Sequence, residues 1–344
     1  MTTISRGVGL AAIAAIAFGV TTPLVAWSGA WVGPFATAAL LYAGAAGSSI
    51  VLRVARGSGG KLVRSDVPRL VGVAVAGAAI APALLAWGLQ RTGATSGALL
   101  LNLEAVFTAA LAWLVFREPI GGRVGVALAA MSAGGVTLVL GAATSGDWRV
   151  PGVLAIAGAT LAWSIDNTLT RPLAERDPLA VVGAKGGIGA ALSLAAAALA
   201  GEHVPPLRPA LVLLACGATG YGLSLRLYLT AQRRIGAART GSVFALAPFV
   251  GAAVAIAFGD RALDWLTALA AALFGLGVYL HASEHHEHEH HHEPVEHDHP
   301  HRHDDGHHDH AHDPPVAGEH SHVHRHGPLV HNHEHAPDLH HDHH

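Results

Sequence analysis

Residues 94–140 read ATSGALLLNLEAVFTAALAWLVFREPIGGRVGVALAAMSAGGVTLVL. Two apolar runs, Ala94–Phe116 and Gly125–Leu140 with its glycine-rich approach, flank the short polar turn Arg117-Glu118-Pro119. Each run approaches the ~20 residues that cross ~30 Å of hydrocarbon as a helix. A buried helical hairpin of a water-soluble protein is the alternative for one such stretch alone. One residue breaks the pattern: Glu104, in the middle of the first run. A carboxylate at bilayer depth is costly and faces a cavity or a partner. The stretch is a membrane hairpin holding one acid.

The composition extends this reading to most of the chain. Of 344 residues, 51% are hydrophobic and only 13% charged, too apolar for a water-soluble fold. The formal net charge of −3 conceals two opposed segments. Residues 1–280 carry 19 Lys/Arg against 10 Asp/Glu, whereas residues 281–344 carry 2 against 14, with 26 of the 27 histidines. Such asymmetry marks two physically different parts. The single cysteine, Cys216, excludes a disulfide framework within one chain. It lies in an apolar run, where a thiol packs as a small hydrophobe.

Hydropathy predicts ten spans, at about 7–26, 34–52, 69–89, 94–116, 122–141, 151–170, 178–200, 209–230, 237–258 and 262–281. The first is taken as a retained helix, not a removed signal sequence. Thirteen Lys/Arg fall on one side of these spans, at 6, 53, 56, 61, 64, 69, 117, 123, 171, 176, 233, 234 and 239. Four, at 91, 149, 208 and 261, fall on the other. The bias of basic residues toward the cytoplasm then places both termini, and the histidine tail, on the cytoplasmic side of a bacterial-type cytoplasmic membrane.

The chain also states its theme twice. Gln90-Arg91-Thr92-Gly93-Ala94 returns as Gln232-Arg233-Arg234-Ile235-Gly236-Ala237, Phe116-Arg117-Glu118 as Phe258-Gly259-Asp260, and Gly135-Val136 as Gly277-Val278. The offset is near 142 residues, or five spans. An odd number of spans per repeat inverts the second half relative to the first, an architecture of secondary transporters that place the substrate near the midplane. The predicted organisation is a first five-helix repeat over 1–141, a second over 142–281 and a tail over 282–344.

These residues carry a resemblance. LLLNLEAVFTAALAWLVFREPIGGRVG with the following GGVTLVLG, and GAARTGSVFALAPFVGAAVAIAFGD in the second half, resemble the drug/metabolite transporter superfamily, specifically its EamA-type ten-helix members. The likeness covers roughly residues 7–281. It implies an all-α integral membrane protein and transport, often outward, of amino acids, nucleotide-sugars, drugs or other metabolites, with no universal catalytic residues to carry over. The counterpart of Glu104 in the second half is apolar, within Leu246-Ala247-Pro248.

Four ionisable residues fall inside the spans: Glu104, Asp166, Lys185 and Arg226. At ~1.5 Å rise per residue, the last three lie within roughly 6–11 Å of the cytoplasmic interface. Lys185 and Arg226 can snorkel to that interface, but an Asp166–Lys185 pair would relieve the desolvation of both. Aligning Ala17-Phe18 with Ala162-Trp163 sets Thr21 and Thr22 opposite Asp166 and Asn167, polar groups at matching places in two inverted halves. Threonines bonded to their own helix backbone are the plainer alternative. Glu104 has no partner evident at its depth beyond the nearby Asn102, and is expected to face the central cavity and bind a proton or a cationic substrate. A structural hydrogen bond between helices is the competing role. The candidate transport cavity is therefore Thr21, Thr22, Asn102, Glu104, Asp166, Asn167, Lys185 and Arg226. Pro23, Pro82 and Pro248 mark expected kinks, and Gly183, Gly186, Gly187 and Gly189 permit close helix packing.

From His281 the composition changes abruptly. Histidines recur singly and in pairs among Asp and Glu, interrupted by six prolines. With nothing apolar recurring to form a core, the tail is expected to stay disordered without a ligand. Imidazole suits Zn, Ni, Co and Cu, and the absence of a fixed four-ligand spacing points to several exchangeable sites. The candidate ligands are His285, His286, His288, His290, His291, His292, His297, His299, His301, His303, His307, His308, His310 and His312. No resident cofactor is required by the transmembrane part, which has no histidine within a span and no carboxylate pair at one depth. His203 falls in a non-cytoplasmic loop.

No nucleophile–base constellation, nucleotide-binding loop or metal-hydrolase motif is present, so an enzyme is not expected. Three functions compete: an exporter of a small metabolite with a metal-binding tail, a Zn, Ni or Co transporter fed by that tail, and a membrane-anchored metal buffer or sensor. The expected partners are the lipid bilayer, a small-molecule or ion substrate and, as one assembly option, a second copy in a homodimer, with no nucleic acid. Protonated imidazole cannot coordinate, so metal binding by the tail should fail as pH drops through about 6.5. Calorimetric titration with Zn or Ni ions should give several equivalents for the full chain and almost none after truncation past His281. Equal stoichiometry in the two forms would contradict the assignment.

Overall fold

The computed structural model describes residues 3–56, 62–117, 120–145, 149–173, 176–260, 264–283, 289–292, 296–301, 320–325 and 329–332. Nine helical segments among these are long and apolar enough to cross a membrane. They are span one (Ser5–Ser28), two (Pro34–Ala55), three (Arg64–Leu89), four (Ala94–Phe116), five (Gly122–Thr144), seven (Pro178–Leu199), eight (Leu207–Gln232), nine (Arg239–Ala257) and ten (Trp265–Ala282). Span six is the helix Arg149–Thr170. Its 22 residues reach about 33 Å, the length of the others, but it carries the polar run Ser164, Asp166, Asn167 and Thr168. The protein is an all-α membrane fold of ten helices, the sixth the most polar.

The packing maps onto itself when the halves are exchanged. Span two meets span eight, and its counterpart, span seven, meets span three. Span three packs on six as eight packs on one, and four packs on six as nine packs on one. Two with seven, four with nine and five with ten pair across the repeats. Side-chain contacts between loops respect the expected sidedness. Gln90 donates to the Val32 carbonyl at 3.2 Å and Glu202 accepts from Phe35 and Ala36 on one face. Arg176 pairs with Asp66 at 3.1 Å, Arg53 with Asp177 at 3.5 Å, and Arg123 bonds Ser283 at 2.6 Å on the other.

Several spans are not continuous α-helices. Span one breaks at Val20, just before Pro23. Span nine breaks between Phe244 and Ala247, just before Pro248, and span four breaks at the corresponding place, between Leu100 and Leu103, without a proline. Pro82 has no N–H for the Ala78 carbonyl, and the wider π-helical turn Ala74–Ile80 precedes it. A second π-helical turn, Gly217–Leu223, occupies the same place in span eight. Spans two and seven approach most closely at Gly186, where a Cβ would meet the Tyr42 carbonyl oxygen at 3.0 Å and the Ala46 nitrogen at 3.1 Å.

The tail is a separate unit, residues 285–337. Its described residues pair antiparallel as two ladders, Glu289–His292 with Leu329–Asn332 and Glu296–His301 with His320–Arg325. The sequence predicts disorder here and these residues pair instead, although ladders of two short strands have little stability of their own.

Because span two's backbone cannot yield easily, Gly186→Val should overpack the two–seven interface and cost about 1–3 kcal/mol. The check is thermal unfolding in detergent micelles, where a clear drop in Tm is expected. An unchanged Tm would mean that the two helices do not touch there.

Candidate functional site

The polar faces of spans three, four, six and seven meet in the half of the bundle nearer the basic loops. Asp166 is buried, 3% exposed. The Lys185 ammonium of span seven pairs with its Oδ2, and the Thr170 hydroxyl donates to its Oδ1 at 3.3 Å. The wall opposite is backbone: Gly77, in the π-helical turn of span three, lies so close to the carboxylate that a Cβ would overlap it. The Gly77 carbonyl accepts twice, from Trp163 Nε1 at 3.0 Å and from the Tyr42 hydroxyl at 2.5 Å. Lys185 also lies 5.9 Å from the centre of the Tyr42 ring. The ion pair is thus held from four helices, which is what a buried pair requires to offset its desolvation.

Beside it, Asn167 donates its side-chain amide to Glu104 Oε1 at 2.8 Å. Glu104 is half-buried and Asn167 exposed, so this second pair borders open space instead of packed core. Glu104 sits in the first turn after the break in span four. Its backbone carbonyl is 3.0 Å from the Ser164 hydroxyl, which accepts from Thr108 at 3.1 Å. The Glu104 partner is therefore Asn167 of span six. Asn102, the neighbour suggested by the sequence, is 5% exposed and donates to the Leu99 carbonyl at 2.9 Å, closing the helix break.

The remaining candidates separate. Thr21 and Thr22 are buried at 3% and 2% exposure, and Thr21 donates to its own helix at the Phe18 carbonyl, 2.6 Å. Yet Thr21 holds the position that the alignment with Asp166 implies. Its methyl fills the space a Cβ would need at Gly220, as Asp166 does at Gly77. Gly77 and Gly220 are 143 residues apart, as are Tyr42 and Lys185. One half of the centre is charged and its counterpart neutral. Arg226 is half-buried in span eight, and no contact among the described residues joins it to Asp166 or Glu104. Tyr42, Trp163 and Gly77 escaped the sequence reading. The repeat offset, applied to spans three and eight, pairs the two glycines and is the signal that finds them.

Aromatic rings connect spans of the two halves. Tyr42 meets Tyr221 and Tyr221 meets Phe18, each at 5.5 Å between ring centres, and Phe244 bridges Phe18 at 5.7 Å and Tyr228 at 5.1 Å. No group of three His, Cys, Asp or Glu side chains that could hold a metal ion occurs among the described residues. Of the tail candidates, His290, His291, His292, His297, His299 and His301 lie in the ladders. His285, His286, His288, His303, His307, His308, His310 and His312 lie outside the described residues.

Comparison with known proteins fits this geometry. The profile of the EamA-like transporter family matches residues 5–141 and again 150–283. An uncharacterized transporter of Methanothermobacter thermautotrophicus (strain Delta H) is 27% identical over 229 residues, covering 64% of this chain and 66% of that protein, just under two thirds of its length. A solved crystal structure superimposes with a TM-score of 0.61 at 23% identity, over 81% of this chain and 98% of the other. That likeness is one of fold.

Removing one partner of a buried pair leaves an uncompensated charge. Lys185→Met should therefore destabilise the protein by about 3–5 kcal/mol, and adding Asp166→Asn should restore most of the loss. Unfolding in denaturant measures both, and a double variant no better than the single would show that the two side chains are not coupled.

Proposed function

The chain belongs to the EamA-like transporter family, and from that premise we propose that it is a secondary transporter that exports a small metabolite across a cytoplasmic membrane, with Glu104 as the site of the coupling proton or of a cationic group on the substrate. The observation that carries this is an electrical one. Asp166 is neutralised by Lys185, whereas Glu104 is held by the uncharged amide of Asn167 and borders open space. A carboxylate at bilayer depth needs a proton or a cation to complete its neutralisation. Taking one up on one side and giving it up on the other is the cycle of a coupled carrier.

An organic substrate is favoured over a bare metal ion by the transmembrane part. Its described residues offer no three-ligand cluster, while rings from spans one, two, eight and nine touch one another in a connected series. The tail supports the second reading, a Zn, Ni or Co transporter, since its 26 histidines would concentrate such ions at the cytoplasmic entrance. In the first reading the same tail senses metal and adjusts transport. Ten helices enclosing a buried ion pair exceed what an anchored metal buffer needs.

Flux into proteoliposomes, measured for a metabolite panel and for Zn, Ni and Co ions under an imposed pH gradient, separates these readings. Glu104→Gln should abolish gradient-driven flux or reduce it at least tenfold. Truncation after His281 should leave metabolite flux running but insensitive to metal. Gradient-driven flux that survives in Glu104→Gln would remove Glu104 from coupling, and metal flux by the truncated form would make metal the cargo.

A further inference from the structure

On the face opposite the ion pairs, hydrogen bonds cross from one repeat to the other. Both carboxylate oxygens of Glu202, in the loop after span seven, accept backbone N–H groups from the first turn of span two, Phe35 at 3.1 Å and Ala36 at 2.8 Å. Asp260, in the loop after span nine, accepts the N–H of Thr95 in the first turn of span four at 2.8 Å. Both acids belong to the second repeat and both capped helix ends to the first. All of these residues lie on the non-cytoplasmic side of the predicted topology.

The first N–H groups of a helix have no acceptor within it. Spans two and four bring none of their own, because the residues preceding them are Gly33 and Gly93, and Gly93 supplies no side-chain cap. In the second repeat span nine likewise opens on a glycine, Gly236, with no side-chain cap, but two other helices carry caps of their own. Span seven opens on its own Asp177, which accepts from Leu179 at 3.0 Å, and span ten on its own Asp264, which accepts from Thr267 at 2.7 Å. That backbone bond from Thr267 holds the Asp264 carboxyl below the usual carboxylate range. The acceptors for spans two and four lie across the repeat boundary, where sliding of span seven on two, or of nine on four, would break these bonds. Glu202 is seated firmly: its carboxylate occupies the space a Cβ at Gly33 would take.

We propose that Glu202 and Asp260 are the outer gate of the transport cycle. When the repeats rock, the two carboxylates leave the first turns of spans two and four, water replaces each partner, and the centre opens to the non-cytoplasmic side. The Arg176–Asp66 and Arg53–Asp177 pairs meanwhile keep the cytoplasmic side shut. Contacts made at a wetted face are worth little net because water substitutes for each lost partner. They therefore suit a closed form in exchange with an open form populated at roughly 0.1–10%. The proposal rests on the transporter reading but not on Glu104, and its test needs no substrate.

The test is a pair of distance distributions measured by pulsed electron resonance in lipid nanodiscs, on the full chain carrying Cys216→Ser. Spin labels at Trp31→Cys and Val204→Cys report the outer face, and labels at Val63→Cys and Arg234→Cys report the cytoplasmic face. Adding Glu202→Ala and Asp260→Ala should at least triple the population at the longer outer distance, while the cytoplasmic distribution stays as narrow as in the parent. Glu202→Gln with Asp260→Asn keeps an acceptor oxygen at each site and should fall between. An unchanged outer distribution in the alanine variant would make the caps static and overturn the proposal. Broadening at both faces together, a general loosening, would overturn it as well. Should the alanine variant fail to fold, the amide variant decides alone, by a partial outer shift or by none.

Discussion

A lysine and an aspartate paired between membrane helices set the terms for the rest of this fold. Neither charge is tolerable alone at that depth, and together they are tolerable only if the remaining donors and acceptors are met. Each surrounding feature serves that condition. Span three presents a glycine in a widened helical turn, so backbone and carboxylate come together without an intervening side chain. The same turn exposes a carbonyl that Tyr42 and Trp163 both satisfy. Thr170 takes up the second carboxylate oxygen. Through these contacts spans two, three, six and seven are tied at one level, and Glu104 of span four reaches that level by its bond to Asn167.

The frame around this centre is nearly symmetric and its charge is not. Under exchange of the halves Asp166 corresponds to Thr21, Lys185 to Tyr42 and Gly77 to Gly220. Thr21 packs against Gly220 in the same way that Asp166 packs against Gly77. Symmetry of packing lets the two repeats exchange conformations at similar energy, the basis of alternating access in inverted-repeat carriers. In the proposed cycle, confining charge to one half would make the two end states differ in how they solvate Glu104 and the ion pair. A carrier needs both properties, equivalence for the motion and inequivalence for the coupling.

Much of this was legible in the sequence, for identifiable reasons. Apolar runs of about 20 residues dictate span number, because hydrocarbon penalises every exposed charge. The Asp166–Lys185 pair followed from the same penalty, and Thr21 from the repeat alignment. The Glu104 partner was not evident, because only Asn102 is near in sequence, and the break in span four turns Asn102 back on Leu99 while Asn167 of span six reaches Glu104. Arg226 was grouped with the centre on depth alone, and depth does not report the direction a helix face points. The π-helical turns left no periodic signal, since they are local insertions around Gly77 and Gly220 that only comparison of the two repeats exposes. Span six, by contrast, was legible at 151–170 in spite of its polar face.

Proton release on substrate binding tests the central claim most directly. Purified protein in weakly buffered detergent solution would be mixed with each metabolite of a panel, and the pH change followed for the wild-type protein and for Glu104→Gln. The account predicts that a bound cationic metabolite displaces close to one proton per protein from the wild type and none from Glu104→Gln. It also predicts that Arg226→Gln releases protons as the wild type does. Binding without proton release in the wild type, or equal release from the Glu104→Gln protein, would contradict it.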